Sequence, residues 1–302
     1  PVSTPADQRP LLLIVNPSSG GGRSRELLPQ AEQMLDERRV PFRIVTTRSL
    51  EHGCAEALAG ADAGELPVVM SGDGLIGQIA GVLAGGKTPL GILPGGRGND
   101  FARVLGIPVE LPAAIDTILA GHTRAIDIGE VNGERFVCIA SAGFDSEANR
   151  IANEAKLIRG NLVYAYAALR ALVSWKPARF TVKLDDDVHR FTGYAVQVAN
   201  SKAFGGGMFV APDAELDDGL FDVVMVSEVG KLRFLRSLPK VFKGEHVNND
   251  EVTVRRAARV EVSASRPFAV YADGEHIADL PAKLRLLGRS LRVIVPAGQR
   301  RR

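Results

Sequence analysis

Cysteine is scarce in this chain of 302 residues: only Cys54 and Cys138 occur, far apart. Two thiols support neither a disulfide framework nor a zinc site by themselves, so both read as ordinary reduced residues of a cytoplasmic protein. The five histidines, His52, His122, His189, His246 and His276, show no metal-ligand spacing. An excess of one charge is missing too; a net +2 makes no global case for nucleic acid, and none is expected as a partner. No apolar run approaches the roughly 18 residues that a spanning helix needs, so no transmembrane segment is expected. The run nearest the N-terminus, Leu11 to Val15, is short and leads straight into a glycine loop, unlike a secretory signal. Internal repeats and low-complexity linkers are also lacking.

What is present is concentrated between Val68 and Asp100. A short apolar run ends in Ser71-Gly72-Asp73-Gly74, and a second, Leu90 to Leu93, ends in Pro94-Gly95-Gly96-Arg97-Gly98-Asn99-Asp100. Glycines permit positive φ and close backbone approach, so successive N–H groups can face phosphate oxygens while a neighbouring Asp holds Mg²⁺ or its waters. Ile76, Ile79, Ala80 and Leu83 recur at helical spacing, which predicts that the first turn opens a helix whose N-terminus favours an anion. A third loop, Asn16 to Arg23, follows the buried-strand pattern of Leu11 to Val15 and precedes helix-like Glu26 to Arg38. Any one of these loops reads equally well as a plain strand-to-helix turn. Together, with Asp73 and Asp100, they point to a nucleotide triphosphate. The usual Rossmann and Walker arguments are not expected to transfer to them.

At 45% hydrophobic composition the chain is long enough for two cores. Strand candidates Leu11 to Val15, Phe42 to Val45, Val68 to Met70 and Leu90 to Leu93 alternate with helical patterns, predicting an open α/β domain with a parallel sheet over residues 1–124. From about Arg124 the texture is strand-rich: Ala125 to Val131, Glu134 to Ala140, Phe180 to Leu184, Gly193 to Ala199, Phe221 to Val226, Glu251 to Arg255, Val260 to Ser263, Phe268 to Ala272 and Leu291 to Val295. Turn-rich connections favour antiparallel pairing, so residues 125–287 read as a mainly antiparallel β-sandwich with one long helix, Ser146 to Trp175.

Five segments then carry a resemblance, in order along the chain: Asn16 to Gly20; Ser71 to Gly74; Pro94 to Asp100 with Phe101-Ala102-Arg103; Gly143-Phe144-Asp145; and Asp273-Gly274-Glu275. Together they resemble the diacylglycerol kinase family of lipid kinases, which includes the sphingosine and ceramide kinases. The resemblance implies an ATP-dependent lipid kinase using Mg²⁺, with a diacylglycerol hydroxyl as the leading acceptor and phosphatidic acid as product. It also implies that a C-terminal strand, about 288–302, returns to the first domain and puts the nucleotide between the two. Asn16, Ser19 and Gly20, then Thr47, then Ser71 with Gly72, Asp73, Gly74, Leu75, Ile76 and Gly77, and finally Gly96, Arg97 and Asn99 match nucleotide positions. Asp273 and Glu275 match the catalytic carboxylates, either of them the proton acceptor. Asp73 and Asp100 match acids organising magnesium, and Pro212 to Leu220 resembles a structural magnesium loop with Asp218 as side-chain ligand and the carbonyls of Glu215 and Leu220 beside it.

Three positions depart from the family pattern. Leu75 stands where a Thr is usual, Gln78 where a Glu is, and Arg97 where a Thr is. Loss of the carboxylate at Gln78 removes charge, whereas Arg97 can donate to a phosphate. The alternatives that stay open are a sphingoid-base or other lipid kinase, an NAD kinase, and a nucleotide- or lipid-binding regulator with weakened turnover. A homodimer also stays open. A lipid acceptor implies peripheral contact with the inner face of the membrane. Lys231 to Lys243 has a basic amphipathic pattern interrupted by Pro239, which reads either as a lipid-docking segment or as a helix packed on the sandwich with a solvated basic face. The tail Arg300-Arg301-Arg302 would add attraction to an anionic surface.

Overall fold

The computed structural model describes residues 9–154 and 162–298. The chain divides into two compact units, Pro1–Ile128 with Gly288–Arg302, and Gly129–Leu287.

The first unit alternates strand and helix: β1 (Leu11–Val15), α1 (Arg23–Glu37), β2 (Phe42–Thr46), α2 (Leu50–Asp62), β3 (Leu66–Ser71), α3 (Asp73–Leu83), β4 (Gly91–Pro94), α4 (Asp100–Val104) and α5 (Leu111–Ala120). The strands form a parallel sheet in the order β2-β1-β3-β4. Every residue of β1 and β3 is buried, as a parallel sheet covered on both faces requires. Local chemistry sets the helix ends. The Ser49 side chain accepts the His52 N–H at 3.1 Å and caps α2. Near its start α5 carries a proline, and it stops at Gly121, whose φ of 68° suits a left-handed cap. Leu90 pairs in parallel with Val293, so the chain's last strand extends this sheet beyond β4.

β5 (Thr123–Val131) leads out of the first unit and β15 (Ala282–Ile294) leads back. Between them come β6 (Glu134–Phe136), β7 (Ile139–Gly143), α6 (Phe144–Glu154), α7 (Leu162–Ser174), β8 (Ala178–Leu184), β9 (Asp187–Ala199), β10 (Phe221–Ser227), α8 (Lys231–Val241), β11 (Val252–Ala257), β12 (Arg259–Ala264), β13 (Ala269–Ala272) and β14 (Glu275–Asp279). The expected sandwich is one branched sheet rather than two separate ones, ordered β14-β13-β7-β9-β8-β12-β15-β5-β6, with β10 beside β9 and β11 beside β10. β9 causes the branching. Its first half pairs with β8, and beyond Gly193 it pairs with β7 on one side and β10 on the other. A core that includes Phe136, Phe180, Phe221, Val223, Val260 and Leu284 lies within this curled sheet.

Three sequence expectations need correction. The run Glu134 to Ala140 is broken at Val137 and Cys138, whose N–H groups bond a carboxylate instead of a strand. The long helix expected over Ser146 to Trp175 is seen as α6 and α7, and its middle lies outside the described residues, as does the tail Arg300-Arg301-Arg302. β14 and the first half of β15 were not expected; β14 is the second arm of a hairpin whose two-residue turn, Asp273-Gly274, has φ of 52° and 92°.

Candidate functional site

In the first unit the three glycine turns meet. Gly95 N–H donates to Ser71 O at 2.8 Å, and Asn16 N–H donates to Met70 O at 3.2 Å, so the turns after β1, β3 and β4 are tied at one end of the sheet. Their glycines make the approach feasible. A Cβ on Gly96 would stand 2.5 Å from Gly72 Cα, one on Gly72 would stand 3.2 Å from both Gly96 Cα and Ser19 Oγ, and one on Gly20, at φ 62°, would run into Gly95 O. Asn99 takes the left-handed conformation at φ 52° and closes its loop on Gly96, accepting that residue's N–H at 2.8 Å and donating to its carbonyl at 3.1 Å. Asn16 accepts the Ser18 N–H at 3.1 Å. The Arg97 guanidinium is exposed and reaches 3.2 Å from where a Gly21 Cβ would be.

Gly72 caps α3 without a side chain, which leaves the first-turn N–H groups for an anion. The segment Gly72-Asp73-Gly74-Leu75-Ile76-Gly77 spells G-x-G-x-x-G, follows β3 and opens α3. The expectation that the Rossmann argument does not apply is therefore corrected at this turn, in its local physics of glycine turn and helix N-terminus. Gly81 to Thr88 spells G-x-x-x-x-G-K-[ST] as well, but it starts in the last turn of α3 and opens no helix, so it lacks the phosphate-binding context.

Leu75 and Ile76 have buried side chains, and the Ile76 N–H bonds Gly72 O at 3.3 Å, so neither presents a side chain to a ligand. Leu75 packs on the α2 glycine Gly53. Gly77 is buried inside α3, where small size serves helix packing. Thr47 donates its hydroxyl to Val15 O at 3.3 Å, just past the end of β2. Gln78 is exposed.

Asp73 lies in the first turn of α3 and accepts the Phe101 N–H at 3.0 Å, which brings it to the start of α4, where Asp100 is buried. Oxygen donors from two carboxylates suit a hard cation such as Mg²⁺. Sequence reasoning missed Asp127, a buried acid in the apolar strand β5 whose Oδ1 accepts the Arg289 N–H at 2.6 Å. An acid inside Ala125-Ile126-Asp127-Ile128 was the available signal.

The second unit carries the other acids. Asp273 is committed to the backbone: its carboxylate accepts N–H groups from Val137 at 2.7 Å, Cys138 at 2.9 Å and Ile139 at 3.3 Å. Glu275, at the start of β14, has an exposed side chain. His276 lies 3.1 Å from Asp279 and packs edge-on against Tyr271. Asp145 opens α6, with Oδ2 accepting from Gln197 at 3.0 Å, and burial pushes its carboxyl up.

In the loop before β10, Asp218 accepts the Leu220 N–H at 3.0 Å and pairs with Arg256, while Glu215 lies 3.4 Å from Lys202. Asp222 beside them is 3% exposed, and its Oδ2 has no hydrogen bond but lies 3.7 Å from Arg256 Nε. Burial pushes its carboxyl up to about 6; Arg256 opposes that rise, whereas Asp218, Asp213 and Glu215 add to it. A shallow cavity lined by Asp213, Asp222, Thr253 and Arg255 adjoins it. Crowded acids fit a divalent cation, although among the described residues no three acidic, histidine or cysteine side chains stand in metal-holding geometry.

A parallel sheet with three glycine turns gathered at one end defines a protein of the α/β class whose turns have a geometry suited to phosphate. Residues 10–131 match the Diacylglycerol kinase catalytic domain family, and residues 138–295 match the YegS C-terminal NAD kinase beta sandwich-like domain. The chain is 34% identical to a diacylglycerol kinase of Mycobacterium tuberculosis (strain ATCC 25618 / H37Rv), with 94% of each chain covered. It is 31% identical to one of Bacillus subtilis (strain 168), covering 94% of this chain and 95% of that one. In fold it resembles the crystal structure of a diacylglycerol kinase from Bacillus anthracis str. Sterne, with a TM-score of 0.74, 21% identity, and 96% and 97% of the two chains covered. The chain belongs to the diacylglycerol kinase family and is a lipid kinase.

Proposed function

We propose that this kinase transfers the γ-phosphate of ATP to the free hydroxyl of diacylglycerol, giving phosphatidic acid. The observation that carries the reading is the convergence of Gly20, Gly72 and Gly96, side by side where a Cβ on any of them would meet the next turn. Such a concave backbone surface at a helix N-terminus is suited to the polyphosphate of a nucleotide. Arg97 would add a bidentate donor in place of the family's hydroxyl.

Phosphoryl transfer requires positioning and charge stabilisation more than covalent chemistry. Mg²⁺, held through Asp73 and Asp100, would offset the charge developing on the transferred group. Of the two terminal acids, Glu275 is the better proton acceptor for the lipid hydroxyl. Its carboxylate is exposed, whereas that of Asp273 already serves three N–H donors. Asp273 acts as a positioning residue that holds the hairpin bearing Glu275. Around Asp218, a second cation would stabilise the acidic loop before β10.

The test is a transfer assay with the purified full chain, labelled ATP and Mg²⁺, offered diacylglycerol, monoacylglycerol, phosphatidylglycerol, ceramide, sphingosine and NAD in parallel. Labelled phosphatidic acid as the main product is expected. Preferential labelling of sphingosine or NAD would reject the diacylglycerol assignment.

A further inference from the structure

Helix α8 carries apolar residues on two faces. Phe234 points inward, stacked on Tyr194 at 4.1 Å between ring centroids and edge-on to Phe144 at 4.8 Å, and Leu238 packs on the same core. That face accounts for the helix's place on the second unit. Leu232, Leu235, Pro239 and Phe242 recur at spacings of three and four residues and so share one side of the helix, roughly 100° round from the Phe234 face. All are exposed, Leu232 by 62% and Phe242 by 55%.

The stripe does not end with the helix. Lys231 Nζ donates to Val173 O at 2.8 Å, which brings the end of α7 alongside, and Val173 is 80% exposed. At the other end Phe209 N–H donates to Val241 O at 2.9 Å, which brings a further exposed aromatic residue to the end of α8. Three separate chain segments thus present large apolar side chains to solvent in one region, which ordinary surfaces rarely do.

Cations flank the stripe. Arg233 is answered by Glu251 at 2.7 Å and Asp250 at 3.5 Å. Lys231 and Lys240 donate to neutral oxygens, Val173 O and Asn249 Oδ1, and keep their charge. Arg236 and Lys243 take part in none of the described ion pairs. A second copy of the chain docking here about a two-fold axis would bring like charges together. An anionic bilayer would accept both features, hydrocarbon for the leucines and phenylalanines and phosphate for the lysines and arginines.

We infer that the outward face of α8, with Val173 and Phe209, is an interfacial docking surface that inserts into an anionic lipid bilayer. It deepens the lipid-kinase reading above by naming how the enzyme reaches a membrane-embedded acceptor. Neither sequence reading of Lys231 to Lys243 is complete: the helix packs on the core and also offers a second apolar face.

Co-sedimentation of the full chain with phosphatidylglycerol/phosphatidylcholine vesicles tests it without requiring turnover. Binding is expected to fall as salt rises and to be weak on pure phosphatidylcholine. Arg236→Ala and Lys243→Ala are each expected to weaken it about fivefold. Combined Leu232→Ser, Leu235→Ser and Phe242→Ser, at exposed positions that leave the fold intact by circular dichroism, is expected to abolish it. Unchanged vesicle binding in the triple variant overturns the proposal, and so does self-association in sedimentation velocity that the triple variant abolishes. A second readout separates this inference from the assigned reaction. The triple variant is expected to keep wild-type transfer to a short-chain, detergent-dispersed diacylglycerol and to lose transfer to vesicle-embedded diacylglycerol. Wild-type vesicle binding without transfer to either substrate would reject the reaction and leave the docking surface standing.

Discussion

Asp273 Oδ2 accepts the Val137 N–H at 2.7 Å, and the other oxygen of the same carboxylate takes the N–H groups of Cys138 and Ile139. One side chain in a hairpin turn therefore closes the gap between β6 and β7, whose donors would otherwise be left unmade.

That arrangement separates the two terminal acids by experiment. Glu275→Gln is expected to lower kcat by about two to four orders of magnitude with an unchanged Tm, because its side chain is exposed and a proton acceptor is lost. Asp273→Ala is expected to lower Tm as well, with roughly 3 kcal/mol of stability removed as its N–H partners lose their acceptor. Thermal denaturation beside steady-state kinetics distinguishes them, and a Glu275→Gln enzyme with wild-type turnover would remove Glu275 from the reaction.

The glycine turns should tolerate side chains unequally. Gly96→Ala places a Cβ 2.5 Å from Gly72 Cα, a backbone atom that cannot swing aside, so both Tm and ATP affinity are expected to fall. Gly74→Ala meets no atom within 4 Å and lies in the first turn of α3, so Tm is expected to hold or rise slightly. Calorimetric titration with a non-hydrolysable ATP analogue checks the binding half of the comparison.

Leu75 occupies the position where a Thr hydroxyl is usual, yet it is 3% exposed and packs on Gly53. Leu75→Thr is therefore expected to cost about 1–3 kcal/mol of stability through lost packing, without a gain in nucleotide affinity. Chemical denaturation read against the KM for ATP tests this, and a lower KM would show that the position faces the nucleotide.

The Asp222 carboxyl titrates near pH 6 in the folded chain and about two pH units lower when unfolded. Between those values the folded state holds the extra proton, so stability falls as pH rises through the window, and the loss is complete above the folded pKa. The expected effect is about 2 kcal/mol after allowance for solvent screening. In EDTA, Asp222→Asn is expected to remove this slope in urea denaturation between pH 4 and 6. Millimolar Mg²⁺ is expected to flatten it in the unsubstituted protein; an identical slope with and without Mg²⁺ would argue against a cation at this loop.

Much of this molecule could be read along the chain because its signals are local. β1 occupies Leu11–Val15, the segment that its unbroken apolar run predicts, and the turns after β1, β3 and β4 fall where the glycines are. Glycine after a buried strand is a short-range instruction, since backbone freedom is needed at that residue and nowhere else. The β14 arm was less legible because Glu275 to Asp279 is polar and half exposed, with no alternating pattern to mark a strand. Asp127 escaped notice because a lone acid in an apolar strand has no spacing to announce it.

Residue order thus determined the element types, the glycine turns and the acids available. Folding alone decided what those groups touch. Gly20, Gly72 and Gly96 became neighbours, Asp273 was spent on three backbone donors while Glu275 stayed open, and Leu75 turned into the core. The physical reason is range. Backbone conformation depends on adjacent residues, but hydrogen-bond partners and burial depend on segments that the chain brings together from a hundred or more positions away, as with Asp273 and Val137.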